Sequence, residues 1–354
     1  MPRLIILGNG FDRNYKLPTD YRKHLRPILE KINPNLFEKI DKLYFNEKIE
    51  YWSDFEAKIG DVENIDFLHN GLEEAIDPLY QEDIDYYPVD SEHYGDDYSA
   101  IENAKFAAEG NRIDLEQWFE ENHKDNFEEF NSFIETGFRY MAQDANKLLR
   151  AQSQSLSKDF RFSKDDYYIV FNYTSTLEIL YPEIPTDHIC HIHGWVEDED
   201  ELIYGNTEDN LYSGDSEFIT ENPNYSLDDE GNPYYSNYKE FLETVVYSEE
   251  EQDRYNKFVV DTISELNDSM IKPLQEERMI EFLDGCKIEE VLLYGLSIGR
   301  VDIPYLEKIN EMFPQARWFI SYYRDKTDPV VSNALALTFS QKIKFEESNE
   351  FKTL

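Results

Sequence analysis

Four short polar or glycine-bearing segments of this 354-residue chain each follow directly on an apolar run. They are Gly8-Asn9-Gly10-Phe11-Asp12, Asn172-Tyr173-Thr174, His191-Ile192-His193-Gly194 and Gly295-Leu296-Ser297, the last with Asp302 a few residues on. Their residue types suit the handling of a nucleotide. Gly8 and Gly10 let a backbone turn tightly and come close to a phosphate, or make a turn and nothing more. Asn9 and Phe11 travel on the same loop, and Asp12 suits a ribose hydroxyl or a helix cap. The carboxamide of Asn172 offers donor and acceptor together, for a ribose, a water or a local turn. His193 can take a proton near neutral pH, and Gly194 removes a side chain from beside its imidazole. Ser297 and Asp302 suit a ligand, or the cap of a helix beginning near Val301.

Residues so far apart in sequence meet only if regular elements bring them together. The apolar runs at 3–7, 167–171, 188–192 and 291–294, with one more at 317–321, read as short buried strands. Helical segments separate them, beginning with a helix-like stretch from Thr19, which predicts a mostly parallel sheet covered on both faces. In such a sheet the carboxyl ends of the strands share one edge, and ligands bind in the crevice there. The fold expected is therefore α/β and Rossmann-like, a single domain over 1–354. Its strand-bearing core covers about 1–19, 166–195 and 286–346, and its mainly helical, acidic insertions about 20–165 and 196–285. Helical spacing from Leu115, Trp118 and Phe119 through Phe130, Phe133, Phe138, Met141, Ala145 and Leu148 predicts one or two amphipathic helices. Tyr238, Phe241, Leu242, Val245, Phe258, Val259, Ile263 and Leu266 continue the helical period in the second insertion. Trp52 and Glu56 can reach the crevice from the first insertion, with helix packing the expected role of Trp52.

The cluster His188, Cys190, His191, His193 raises the question of a metal. On a strand His191 and His193 share one face and His188 and Cys190 the other, so one ion cannot take all four. Zinc-type ligand spacing is missing and Cys190 and Cys286 are the only cysteines, so no metal, zinc module or disulfide framework is expected. His191 is expected to be a satisfied core histidine.

The chain has 75 acidic and 34 basic residues, a formal charge of −41, and a surface of that sign repels phosphate backbones. Direct nucleic-acid binding is not expected. The charge suits solubility, docking to a basic protein, or a surface that resembles nucleic acid. No apolar run approaches the roughly 18 residues of a membrane span, and the N-terminal run reads as a strand instead of a secretory leader, so a cytoplasmic location is expected. Residues 80–99 and 196–236 are acidic and rich in tyrosine. They read as exposed loops that serve self-association or a partner protein, or that are simply solvated.

The motifs jointly resemble the AbiH family of bacterial abortive-infection proteins, which act in phage defence. The matching pieces are LGNGFDRNYKLPTDY at 7–21, WSDFE at 52–56, VFNYTSTLEILY at 170–181, HIHG at 191–194 and GLSIGRVDIPYL at 295–306. Leu296 stands where the family pattern commonly has a histidine, which weakens any role for that position. More distantly, the chain is similar to sirtuins and their NAD-hydrolysing relatives in defence. The stretch from Gly8 to Pro18 has the spacing of the sirtuin glycine loop. Asn172 falls at the sirtuin asparagine, with an extra residue before Thr176-Leu177-Glu178. His193-Gly194 falls at the catalytic His-Gly, and Gly295-Leu296-Ser297 at the Gly-Thr-Ser. The two Cys-x-x-Cys pairs of the sirtuin zinc module are absent. This resemblance implies NAD as substrate or ligand, with hydrolysis to nicotinamide and ADP-ribose favoured over protein deacylation. In the implied reaction Asn172 positions and His193 acts as base, with Gly8, Asn9, Gly10, Phe11, Asp12, Gly194, Gly295, Ser297 and Asp302 holding the nucleotide. The alternative is a non-enzymatic sensor of NAD or ADP-ribose that signals to a partner protein.

Overall fold

The computed structural model describes residues 2–61, 125–198, 201–206, 226–227, 233–234, 268, 270–323 and 327–354. Six strands form one sheet: β1 (Leu4–Leu7), β2 (Tyr167–Val170), β3 (Ile189–His191), β4 (Glu290–Tyr294), β5 (Arg317–Tyr322) and β6 (Ile343–Glu347). All neighbours pair parallel, in the order 3-2-1-4-5-6. Leu4 lies opposite both Tyr167 and Val291, and Leu7 opposite both Val170 and Tyr294, so β1 is the central strand of the register. The α/β architecture follows from the strands themselves. β1 is LIIL with every residue fully buried, which only a sheet covered on both faces allows.

The period of two divides these strands between two cores. Leu4, Ile6, Ile169, Val291, Leu293, Trp318 and Ile320 pack on one face with α7 (Glu276–Leu283) and α8 (Ile303–Met312). Ile5, Leu7, Tyr168, Val170, Leu292 and Tyr294 pack on the other with Phe11, Phe160, Tyr181 and Leu177 of α6 (Thr176–Leu180). A third core belongs to the first insertion, in α2 (Arg26–Ile32), α3 (Pro34–Phe45), α4 (Phe55–Lys58) and α5 (Asp125–Gln152). On α5, Phe130, Phe133, Ile134, Phe138, Met141 and Ala142 recur at helical spacing into that core. Ala145 and Leu149 of the same helix continue into the sheet's second core, so one helix ties the insertion to the sheet. Trp52 is fully buried in the insertion, stacked on Phe45 at 4.1 Å between ring centres, with its Nε1 donating to Asp41 Oδ1 at 2.7 Å. Packing is its role.

Two local departures from the sequence expectation bear on the site. A short helix, α1 (Asn9–Asn14), starts directly after β1 in place of an open glycine loop, ahead of the helical stretch expected from Thr19. Residues Tyr21–Leu25 wind as a π turn, closed by the Arg26 N–H donating to the Tyr21 carbonyl. Pro27 follows and has no N–H to give to Lys23, so the helix widens just before it. The sixth strand is a further addition. Residues 80–99, Leu115, Trp118, Phe119 and 238–266, for which the sequence carries expectations, lie outside the described residues, as does most of 196–236. A small antiparallel ladder joins Ser226–Leu227 to Pro233–Tyr234. No helix among the described residues is long and apolar enough to cross a membrane.

Candidate functional site

From β1 the chain passes to β2 on one side and later to β4 on the other, and a crevice opens outside the carboxyl ends of strands where such a direction change occurs. The crevice here has a volume of about 970 Å³. Asn9, Gly10, Asp12, Asn172, Thr174, His193, Gly295, Ser297 and Asp302 line it together, so motifs nearly 300 residues apart share one cavity. Gly8, Phe11 and Gly194 are not in its wall.

The glycines are explained by the approach of two loops. Gly10 N–H donates to the Gly295 carbonyl at 2.7 Å, and Gly8 N–H to the Tyr294 carbonyl at 2.9 Å. A Cβ on Gly8 would lie 2.6 Å from the Gly295 oxygen, and one on Gly10 2.5 Å from the Gly295 Cα. Gly295 itself has φ +72°, a left-handed conformation that suits glycine. The clearance expected over Gly8 and Gly10 for a phosphate is thus filled on that side by the facing loop. Gly194, at φ +89°, turns the chain after β3, and a Cβ there would meet the Glu201 carbonyl at 2.8 Å. Phe11 is 1% exposed and packs edge-on against Tyr15 and Phe160 beneath the loop. Asn9 is occupied by Thr19: its Nδ2 donates to the Thr19 carbonyl at 2.8 Å, and its Oδ1 accepts from Thr19 Oγ1.

Asp12 and Asn172 join the loops after β1 and β2. Asp12 is buried and accepts from the hydroxyls of Thr174 (2.8 and 2.9 Å) and Thr176 (2.5 Å). Burial pushes its carboxyl up to about 6, against the lowering effect of the Thr176, Thr174 and Asn172 hydrogen bonds and of His191. Asn172 Nδ2 donates to the Gly8 carbonyl at 3.1 Å, which fixes the carboxamide across the strand ends. The loop beyond it is held by Asn146 of α5, which accepts from the Ser175 N–H and donates to Ser175 Oγ, both at 2.8 Å.

The two histidines part company. β3 ends at His191, and the turn that follows, with Gly194 N–H on the His191 carbonyl at 3.3 Å, rotates His193 off the face they were expected to share. His191 is buried, stacked on Trp195 at 5.2 Å, and its Nδ1 lies 3.1 Å from the Asn172 carbonyl. Its Nε2 lies 2.6 Å from Glu178 Oε1, so both ring nitrogens are satisfied. His193 lies between Phe171 and Tyr305 instead, with ring centres 5.0 and 5.6 Å away. It is 2% exposed, and its Nε2 has no hydrogen-bond partner among the described residues. Burial, then the charges of Lys272 and Arg278, push the imidazole well below 6.5, while a hydrogen bond to the Phe171 backbone raises it in part. A neutral ring whose N–H is given to a carbonyl presents Nε2 as an acceptor. Among the described residues no three His, Cys, Asp or Glu side chains group as metal ligands.

Asp302, at the start of α8, is 4% exposed and its Oδ2 accepts from the Gly299 N–H at 2.8 Å. Between Ser297 and Gly299, Ile298 is held at φ +57°, an unusual conformation for a β-branched residue. Ser297 is exposed in the crevice wall, its carbonyl accepting from Asn333 Nδ2 at 3.0 Å. Burial and the neighbouring Glu56 push Asp302 up to about 7, with Lys272 and the Gly299 N–H acting the other way. Tyr21, placed by the π turn, lines the crevice beside these acids; burial, Glu56, Asp302 and Asp12 hold its phenol well above 10. Arg13, Lys16 and Arg22 bring cations to the same cavity, and Tyr323, 68% exposed, brings a ring at its C-terminal side.

A model of the bacteriophage abortive infection AbiH family matches residues 4–322, nine-tenths of the chain. The chain belongs to the AbiH family. Membership assigns it a role in abortive infection by bacteriophage, and the match runs through every loop that lines the crevice except those beyond residue 322. Comparison with curated proteins gave no match, and neither did comparison with solved structures. Of the residues that line this AbiH crevice, Tyr21, Arg13 and Lys16 fall within the 7–21 motif, where their types alone gave no sign of a site. Lys272, paired with the lining residue Glu56, stands outside every motif.

Proposed function

We propose that this AbiH protein binds NAD in the crevice and hydrolyses it to nicotinamide and ADP-ribose during abortive infection, on a Rossmann-like sheet. The observation that supports this most is His193: a buried, neutral imidazole whose Nε2 has no partner among the described residues, in the wall of a crevice at the switch point of the sheet. An unpartnered buried acceptor costs stability unless a ligand or water hydrogen-bonds to it. The strand order 3-2-1-4-5-6 is that of dinucleotide-binding sheets, whose ligand lies across this crevice. The cations Arg13, Lys16 and Arg22 suit a pyrophosphate on a chain that is otherwise strongly acidic.

In this reading His193 Nε2 accepts from the attacking water or a ribose hydroxyl. Asn172, fixed through the Gly8 carbonyl, orients the ribose with its carboxamide oxygen. Nicotinamide is cationic in NAD and leaves neutral, so the site needs to hold the ribose and direct water to the anomeric carbon. The direct test is incubation of the purified protein with NAD, followed by chromatography for free nicotinamide. Release above a heat-treated control supports hydrolysis. Saturable NAD binding without release, in the presence of phage-infected extract, would replace it with the sensor reading.

A further inference from the structure

Two carboxylates from separate parts of the chain line the crevice, Asp302 at the start of α8 and Glu56 on α4, and Lys272, from the segment before α7, acts on both from behind the wall. Lys272 Nζ donates to Glu56 Oε1 at 2.7 Å, with the lysine side chain 3% exposed and the glutamate 25%. The pairing is built into the backbone. Asn206 accepts at its carbonyl from the Lys272 N–H (2.8 Å), donates its own N–H to the Met270 carbonyl (2.9 Å), and its Nδ2 reaches the Ala57 carbonyl at 3.2 Å. Asn206 thus clamps the ends of both insertions together. Gly205 beside it sits at φ +125°, where a Cβ would lie 2.2 Å from the Met270 oxygen, so the clamp depends on that close approach.

Asp302 uses Oδ2 on the Gly299 N–H, and its Oδ1 accepts no hydrogen bond among the described residues. We propose that Asp302 is the general base of this site, taking the proton of the attacking water, with the Lys272–Glu56 ion pair as its electrostatic support. The inference rests on the hydrolysis reading. Water oxygen bonds to the anomeric carbon as the C–N bond breaks with its electron pair onto nicotinamide; one water proton passes to the Asp302 carboxylate and from there to solvent. Placing that proton on His193 would create a buried cation beside Lys272 and Arg278. Placing it on Asp302 neutralises a buried carboxylate that faces Glu56 and lies near the phenols of Tyr21 and Tyr305. His193 remains an acceptor that steers the water.

Nicotinamide release is measured from pH 5 to 9 for the wild-type protein and for Asp302→Asn, Glu56→Gln, Lys272→Met and His193→Ala. Turnover of the wild type is expected to rise with pH through an apparent pKa near 7. Asp302→Asn should lose about two to four orders of magnitude and the limb with it. Glu56→Gln should move the limb to lower pH and Lys272→Met to higher pH, since the first removes a negative neighbour and the second a positive one. His193→Ala should be slower but keep the limb. Loss of the limb in His193→Ala and its survival in Asp302→Asn would overturn the assignment, as would a limb unmoved by Glu56→Gln and Lys272→Met. A wild-type protein that turns over NAD with such a profile leaves the hydrolysis reading standing while this one fails. A wild-type protein that releases no nicotinamide removes both.

Discussion

Asp302→Asn should also change stability in a pH-dependent way, without reference to any substrate. The folded protein holds this carboxyl at about 7, against 3.8 for an exposed aspartate, so folding penalises the ionised form. Because the folded pKa lies above the unfolded one, the penalty is absent below about pH 4, grows as pH rises, and is complete above about pH 7. Linkage with these two values gives about 1.5 kcal/mol at pH 5 and about 4 kcal/mol at pH 8. Asparagine has no ionised form, and its Oδ1 can still accept from the Gly299 N–H. The variant should therefore gain on the wild type by about 2.5 kcal/mol more at pH 8 than at pH 5. Urea unfolding at the two pH values measures the difference directly. An advantage that is flat with pH, or larger at pH 5, would refute the argument that Asp302 is ionised at a cost in this fold.

Four other outcomes follow from the same contacts. Thr174→Val combined with Thr176→Val leaves the buried Asp12 carboxylate without its hydroxyl donors, and should lower stability at pH 8 by about 2–5 kcal/mol, read by urea unfolding. A loss below about 0.5 kcal/mol would show those bonds to be dispensable. Gly10→Ala drives a methyl into the Gly295 backbone, which cannot yield as a side chain could; a drop of at least several degrees in melting temperature is expected, and an unchanged melting curve would contradict the loop contact. On the proposed NAD reading, Arg13→Glu with Lys16→Glu should raise the KM for NAD about tenfold or more with little change in kcat, since both lie at the crevice and would attract a pyrophosphate by charge. Tyr323→Ala should weaken NAD binding by roughly 1 kcal/mol if its exposed ring stacks on the base, which isothermal titration can read.

The sheet was legible because its strands are buried on both faces. LIIL, YYIV and EVLLY need no partner to be read as interior strands, and the polar residue that ends each run marks its carboxyl end. The sixth strand escaped because IKFEE alternates charged and apolar residues, as an edge strand exposed on one side does, and its signal is shared by many loops. Asn172, His193 and Asp302 were legible by position. The divergence of His191 from His193 was not, because residue spacing assumes that the strand runs on through both, and the chain turns at Ile192. Gly8 and Gly10 are expected from sequence to let a phosphate come close, and what comes close to both in the structure is the Gly295 loop. Sequence alone shows that a Cβ is unwelcome, never which atom excludes it.

The site divides along the same line. The sheet supplies Asn172 and His193, uncharged groups at fixed strand ends, held by bonds to backbone. The insertions add Tyr21, through a π turn that Pro27 imposes, and Glu56 from α4, which the Asn206 clamp pairs with Lys272. Burial of Lys272 at 3% is tolerable only beside Glu56, and Glu56 is in turn the neighbour that raises Asp302. Removing one partner of that pair therefore leaves an uncompensated charge and alters the carboxyl at the start of α8. Lys272→Met should for that reason lose less stability than Glu56→Gln, because it leaves unpaired a glutamate that water partly reaches, whereas the second leaves the lysine uncompensated in the interior. Urea unfolding of both variants at pH 8 measures the order. Equal losses, or the reverse order, would mean that water reaches Lys272 and that the clamp does not seal this side of the crevice.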